Sequence, residues 1–241
     1  AGNLYRMKTV WDLLPHPATL SAYRDVLSGN AGSLPRMLWN TVIICVCSVV
    51  GELVIASLAA YPLARMEFRG RNVTFALMLA SMMLPTQANM IVNFITIRYM
   101  GLYDTLAAVI VPGLVSVFGI FLMRQAYLVI PMELEDAARI DGANPLHVWW
   151  HVLLPLSRPA LATLAVFGFV GQWNNLLWPL VILKSEANYP VAVGLTWLSG
   201  TFADQFRLVA AGCVLATAPV VLLFLALQGH FIKGITAGAV K

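Results

Sequence analysis

The chain has 241 residues, of which 60% are hydrophobic and only 11% charged, and its mean hydropathy is +0.79; so few charges cannot cover a water-soluble globule, and the composition is that of a membrane protein in contact with lipid. The net charge of +4 and pI near 9.1 do not signal nucleic acid, because Lys and Arg are scattered in loops and form no stripe; flanking of membrane helices accounts for them. Three cysteines supply no disulfide framework: Cys45 and Cys47 point to different sides of one apolar stretch and Cys213 lies in another, as apolar packing residues.

Residues 1–35 are polar and mixed, with Pro15, Pro17, Gly29, Gly32 and Pro35, and read as an extracytoplasmic segment with one short helix capped near Thr19 or Ser21. The remainder, 36–241, reads as one all-α, polytopic transmembrane bundle. Its five apolar stretches are Arg36 to Leu63, Val73 to Ile97, Leu106 to Leu122, Ala160 to Leu183 and Leu208 to Ile232, each near the ~20 residues that a bilayer needs. The third is short and is predicted to continue past Arg124 towards Val129, with the arginine reaching into the interface. Pro62, Pro85, Pro112, Pro179 and Pro219 kink or end helices.

Orientation follows from the basic loops. Arg65, Arg69 and Arg71 lie between the first two stretches, whereas the next loop carries only Arg98, so the first connection belongs in the cytoplasm. Alternation puts the interval Pro131 to Pro159 and the tail Lys233 to Lys241 on the same side, in agreement with Arg124, Arg139, Arg158 and Lys233. The N-terminal segment is left outside despite Arg6, Lys8, Arg24 and Arg36.

Polar residues inside the spans are few. Glu52 stands mid-span, where an ionisable side chain costs at least ~2.5 kcal/mol on insertion and faces the bundle interior or a wet cavity; it reads either as a pathway residue or as an acid that holds helices together. Gln172, Trp173, Asn174 and Asn175 interrupt the fourth span, and Trp178 follows one turn later. Amides that donate and accept, beside a flat indole, suit a sugar with hydroxyls at its rim and C–H groups on its face; the same residues also serve as interhelical glue and interfacial anchors. Asn174 ranks first, then Gln172 and Trp173, with Gln87, Asn89 and Asn93 as further candidates. His147 and His151 have the i, i+4 spacing of zinc ligands, but Val148 stands where a zincin has its glutamate, and no metal site is expected. Neither a GxxxxGK[ST] phosphate loop nor a Gly-x-Ser-x-Gly elbow occurs, so the chain is not expected to hydrolyse ATP itself.

The longest polar interval between apolar segments, PMELEDAARIDGANPLHVWWHVLLPLSRP, reads as two short helices joined at a corner. The first carries Leu134, Ala137, Ala138 and Asp141 on one face, with Glu135 and Arg139 as an i, i+4 pair. Gly142 stops it, and Asn144-Pro145 supplies an N-cap and a first-turn proline. The second helix is predicted to carry Leu146, Trp149, Trp150 and Leu153 on one face and to end before Pro155. Such a rigid knob suits a partner's groove; the plainer alternative is an amphipathic connector lying on lipid.

Asp136-Ala137-Ala138, three residues, Gly142, nine residues, Val152, one residue, Leu154-Pro155 resembles the EAA loop of permease subunits of bacterial ABC importers. With RIDGA, LPLSRPALATLAVF and GQWNNLLWPL around it, the chain is most similar to the carbohydrate branch, in the maltose-permease style, from about Pro17 to Lys241. Asp136 stands where the family has Glu and Val152 where it has Ile. The resemblance implies a type I permease in the bacterial cytoplasmic membrane, passing a sugar, polyol or glycerol-phosphate-type solute. Its partners would be a second permease subunit, two ATP-binding subunits that hold ATP and Mg, and an extracytoplasmic solute-binding protein. In this chain Glu135, Asp136, Ala137, Ala138, Arg139, Asp141, Gly142, Leu154 and Pro155 would couple to an ATP-binding subunit, while Asn174, Gln172, Trp173, Asn175, Asn93 and Glu52 would line the pathway. The family has six helices per subunit, so one is expected before Ala1. An ion-coupled secondary transporter is the alternative, though internal repeats and paired intramembrane charges are not seen.

Overall fold

The computed structural model describes residues 19–28, 33–201 and 205–239, and the side chains of all these except 86, 223, 224 and 226–239. Expectations placed on Pro15, Pro17, Gly29, Gly32 and Lys241, and on the side chain of Lys233, lie outside the described residues. Every regular element among the described residues is helical.

A short helix, α1 (Ser21–Leu27), comes first, with Leu20 rather than Thr19 or Ser21 at its N-cap position and no side-chain cap. The spine is α2 (Leu34–Arg65), unbroken for 32 residues, about 48 Å, which exceeds a ~30 Å hydrocarbon core. Pro35 sits in its first turn, where a missing N–H loses no bond, and Pro62 in its last. One face buries Ile44, Ser48, Glu52, Ala56 and Ala60, while Trp39, Val42, Val46, Val50, Val54 and Leu58 form an exposed stripe. A helix apolar all round packs protein on one side and hydrocarbon on the other.

The second, third and fourth predicted spans are broken, whereas the fifth falls within one continuous helix at Phe206–Ala239. The second consists of α3 (Arg71–Ser81), a turn through Pro85 with a 3-10 segment at Thr86–Asn89, and α4 (Met90–Tyr99). The third consists of α5 (Leu106–Ile110), a 3-10 turn at Val111–Leu114 and α6 (Val117–Val129), with Val115 and Ser116 extended between them and a bend of 41°. It does continue past Arg124 to Val129. Arg124 does not reach outward, however: its Nε donates to Leu63 O at 3.0 Å and its guanidinium lies 4.1 Å over the Phe75 ring. A carbonyl left open at the end of α2 and an aromatic face outcompete the interface for it.

After α7 (Glu133–Ile140), α8 (Pro145–Val148) and α9 (Leu154–Leu156), the fourth predicted span consists of α10 (Arg158–Trp173) and α11 (Leu177–Ile182). Next comes α12 (Val191–Thr201), which has no counterpart among the predicted spans and is too short to cross a bilayer. It is tied to the start of α2: Thr41 Oγ1 accepts the Val191 N–H at 2.7 Å, and Asn40 Nδ2 donates to Ala187 O at 2.9 Å and to Tyr189 O at 3.1 Å. The last helix is α13 (Phe206–Ala239).

Among the described residues, α2 alone is long and apolar enough to cross a membrane unaided, and the bent pairs, α5 with α6 and Pro145–Leu156 with α10 at 79°, bring the number to as many as three. Three apolar clusters hold the bundle. At the end that carries the elbow formed by residues 131–159, α2, α6 and α10 pack Ala60, Tyr61, Met123, Tyr127 and Leu164 around Trp149 and Leu153. At the opposite end, Ile44 packs with Ile97, Val109, Trp178 and Ile182. The third cluster seats α12 and α13 against α1, α2 and Trp173.

Candidate functional site

The polar interval folds into the predicted corner. Ala143 N–H donates to Ala138 O at 2.9 Å and Gly142 N–H to Arg139 O at 3.0 Å, with Gly142 at φ +87°. This is the Schellman arrangement, which satisfies the last carbonyls of α7 and calls for a left-handed residue at Gly142. Asn144 Oδ1 then accepts the His147 N–H at 2.9 Å, with Pro145 in the first turn of α8.

Beyond the corner the helix does not end before Pro155. It runs on to Leu156 through a π-helical turn at Trp149–Leu153, in which the Leu154 N–H reaches Trp149 O. The wide turn takes up the register mismatch that the proline imposes. It also parts the residues predicted on one face: Trp149 and Leu153 enter the elbow-end core, whereas Trp150 is 59% and Leu146 65% exposed.

The coupling residues sort accordingly. Asp136, Ala137, Arg139, Asp141 and Gly142 are exposed, and Ala138, Leu154 and Pro155 are half-buried. Glu135 departs from its expected place on the coupling surface. It is fully buried, with Oε1 2.5 Å from Arg65 Nε at the end of α2. Its expected partner Arg139 stays 3.8 Å from Oε2 and lies 3.4 Å from Asp136 Oδ1 on the open side. A buried carboxylate needs a compensating charge, and the buried guanidinium supplies it more closely than the solvated one. His147 and His151 stack with ring centroids 5.2 Å apart, both exposed.

In the other half of the bundle the helix breaks converge on a cleft of about 290 Å³, lined among others by Gln87, Asn93, Gly113, Gln172, Asn175 and Trp178. These residues come from α4 and the turn before it, the Pro112–Gly113 turn, and the junction of α10 with α11. Backbone that leaves the helix at membrane depth is tolerated where it is buried in protein or lines a wet cavity. Gly113 allows a close approach, since a Cβ there would overlap Gln172 Nε2. Asn175 Nδ2 donates to Gln172 Oε1 at 3.4 Å and Trp178 Nε1 to Ala108 O at 3.0 Å.

Of the residues expected on the pathway, Asn93, Gln172 and Asn175 line this cleft; Trp173, Asn174 and Glu52 do not. Trp173 turns to the opposite side, donating to Ala216 O at 3.2 Å and stacking on Phe169 at 5.3 Å. Asn174 Nδ2 folds back onto Val170 O at 2.9 Å. Consecutive residues at a helix end point about 100° apart, so the four-residue run could not share one face. Glu52 is 8% exposed, hydrogen-bonded with Ser116 and laid over Gly168. Ser116 Oγ in turn caps α6 by accepting the Gly119 N–H at 3.0 Å. The acid thus pins the break of the third span against α2. Glu52→Leu, which removes this acceptor, is expected to destabilise the subunit by about 1–3 kcal/mol, and Glu52→Gln, which retains one, by less. Thermal unfolding in detergent measures both, and normal assembly and transport in E52Q would take the charge out of the mechanism.

Two anchors, Arg65 and Asp104, belong to no motif; Arg65 read only as an orienting charge. Asp104, at φ +58° between α4 and α5, accepts the Lys184 and Ser185 N–H groups on Oδ1 at 2.8 and 2.9 Å and the Ser185 hydroxyl on Oδ2. Desolvation pushes its carboxyl up, but the bonds from Ser185, Lys184 and Asn188 outweigh this and hold the pKa at about 2, below the ordinary 3.8. A depressed folded-state pKa stabilises above the ordinary value and loses that contribution as pH falls through about 2. Amide exchange at Lys184 and Ser185 is therefore expected to stay protected from neutral pH down to about 4 and to lose protection towards pH 2, while Asp104→Ala loses it throughout.

An all-α membrane domain with a clamped, outward-facing elbow at one end and a polar cleft where its helices break is built as a transport permease. The chain belongs to the binding-protein-dependent transport system inner membrane component family, whose model matches residues 52–237; it is a membrane permease subunit of an ABC importer and not an enzyme. It is 38% identical over 230 residues to the arabinooligosaccharides transport system permease protein AraQ of Halalkalibacterium halodurans, covering 95% of this chain and 82% of that one. The lactose transport system permease protein LacG of Rhizobium radiobacter is 33% identical, with 86% of this chain and 76% of LacG covered. The crystal structure of a bacterial ABC transporter involved in import of the acidic polysaccharide alginate contains a chain that superposes with a TM-score of 0.80 at 30% identity, covering 90% of this chain and 81% of that one.

Proposed function

We propose that this subunit passes a saccharide through the bacterial cytoplasmic membrane as one half of a permease heterodimer. The observation that carries the reading is the two-sided elbow: Trp149, Leu153 and Glu135 fix it into the bundle, while Asp136, Ala137 and Asp141 remain exposed. An ATP-binding subunit seated on that open face would move the elbow without contributing groups to the cleft. Two such subunits hold ATP and Mg, and an extracytoplasmic solute-binding protein delivers the solute. The chain is multi-pass, with 1–35 outside, 36–241 forming the transmembrane domain and the coupling loop 131–159 in the cytoplasm.

Amides of Asn93, Gln172 and Asn175 beside the Trp178 indole match the hydroxyl rim and C–H face of a sugar ring. The arabinooligosaccharide, lactose and alginate transporters among its relatives support the same substrate class. Transport proceeds by alternating access, in which closure of the ATP-binding dimer displaces the elbow and the helices rock about the cleft. The test is uptake of labelled arabinooligosaccharides into proteoliposomes holding the assembled importer. Uptake that requires ATP and the ATP-binding subunits is expected; uptake driven by an ion gradient without them would overturn the reading in favour of a secondary transporter.

A further inference from the structure

Two oppositely charged side chains meet where the elbow joins the bundle. Arg65 is the last residue of α2, and its side chain is 5% exposed; Glu135 is on the first turn of α7 and is 0% exposed. Their Nε to Oε1 separation is 2.5 Å. Arg65 also donates from Nη2 to Ile130 O at 2.5 Å and from Nη1 to Met132 Sδ at 3.1 Å. One guanidinium thus grips both the carboxylate of α7 and the backbone that leads into it. The Nη1 and Nη2 hydrogen bonds fix the direction of the guanidinium, while the Nε–Oε1 contact is a close charge pairing outside hydrogen-bond geometry, so orientation comes from the backbone side and attraction from the carboxylate. The neighbouring contact of the elbow with the bundle, Trp149 and Leu153 against Tyr61 and Leu63, is apolar and non-directional. Sliding of the elbow over that apolar surface is opposed by the ion pair.

We propose that Arg65 is the positioning residue of the coupling elbow: through Glu135 it makes α7 and α2 move as one body, so that a displacement of the elbow reaches the turns around Gly113 that α2 packs against. The second half of that path is direct, since Gly51 of α2 lies against Leu114 and Ser48 near Gly113. This rests on the reading that an ATP-binding subunit seats on the elbow, but it assigns Glu135 an inward role rather than a contact with that subunit. Burying two charges is not required for stability alone, because an apolar pair of similar volume holds such a position as well or better. A structural role would therefore survive in Arg65→Met/Glu135→Leu, whereas a positioning role would not.

The experiment uses the complete importer, with Cys45, Cys47 and Cys213 replaced by alanine and spin labels at Trp39→Cys on α2 and His147→Cys on the elbow, both exposed positions. The distance between labels is measured by pulsed EPR with and without the non-hydrolysable ATP analogue AMP-PNP and Mg. With the pair intact, the separation is expected to hold within about 2 Å on nucleotide addition, as for a rigid body; in R65M/E135L it is expected to shift or broaden by about 5 Å, the scale of a one-turn slip. Arg65→Lys, which keeps the charge but loses the fork, is expected to fall between the two. An R65M/E135L complex that retains the rigid separation overturns the proposal, as does failure of R65M/E135L and R65K alike to assemble, which would make the pair a scaffold. Co-purification of the ATP-binding subunits with the unmutated chain reports separately on the seat itself.

Discussion

Gly142→Val is expected to give a permease that inserts and assembles but takes up solute at least about tenfold more slowly per ATP hydrolysed, the factor that corresponds to ~1.4 kcal/mol. The position has φ +87°, where a β-branched residue pays roughly 1–2 kcal/mol of backbone strain. Nothing lies within 4 Å of a Cβ built there, so crowding is not the cause. The strain is relieved only by abandoning the left-handed turn, which releases the Ala143 to Ala138 and Gly142 to Arg139 bonds and lets α7 swing relative to α8. Gly142→Asn serves as the control, because asparagine tolerates the left-handed region. Uptake and ATP hydrolysis measured together in proteoliposomes decide the matter; normal coupling in G142V would mean that the corner is no lever.

Gly113→Leu is expected to stop uptake while leaving ATP hydrolysis running. Even its Cβ would occupy the place of Gln172 Nε2, and the rest of the side chain projects into a cleft of about 290 Å³. Overpacking costs about 1–3 kcal/mol, so thermal unfolding must first establish that the variant is folded. Combining it with Gln172→Ala removes the collision and is expected to restore part of the uptake. Asn174→Ala is expected to change little, because Asn174 is turned back onto Val170 and does not line the cleft. Loss of uptake in N174A with normal uptake in G113L would move the pathway elsewhere.

The elbow and the cleft were unequally legible. The corner depends on neighbours in sequence, as Gly142, Asn144 and Pro145 each act within four residues, and it was predicted with its caps. The face beyond the corner was misplaced because a π-helical turn shifts the register between Trp149 and Trp150, and no residue type announces such a turn. The amides of the fourth span stand out in the sequence as pathway candidates, but which of them share the cleft depends on the helix end: the helix stops at Trp173 and the chain turns, leaving Gln172 and Asn175 on the cleft side and Asn174 away from it. Arg65 and Asp104 left no local signal, since their partners lie 70 and about 80 residues further along the chain.

What the sequence by itself determined is whatever follows from composition and short spacing: a membrane protein, all helix, with one capped polar corner whose motif names its family. Only the tertiary structure decided where the long spans break, that Glu135 turns inward to Arg65, that Glu52 pins a helix break, and which amides share a wall. The physical reason is the same in each case. Hydrophobicity and capping are properties of a residue and its nearest neighbours, whereas burying a charge or turning a side chain into a cleft depends on atoms that only folding brings together.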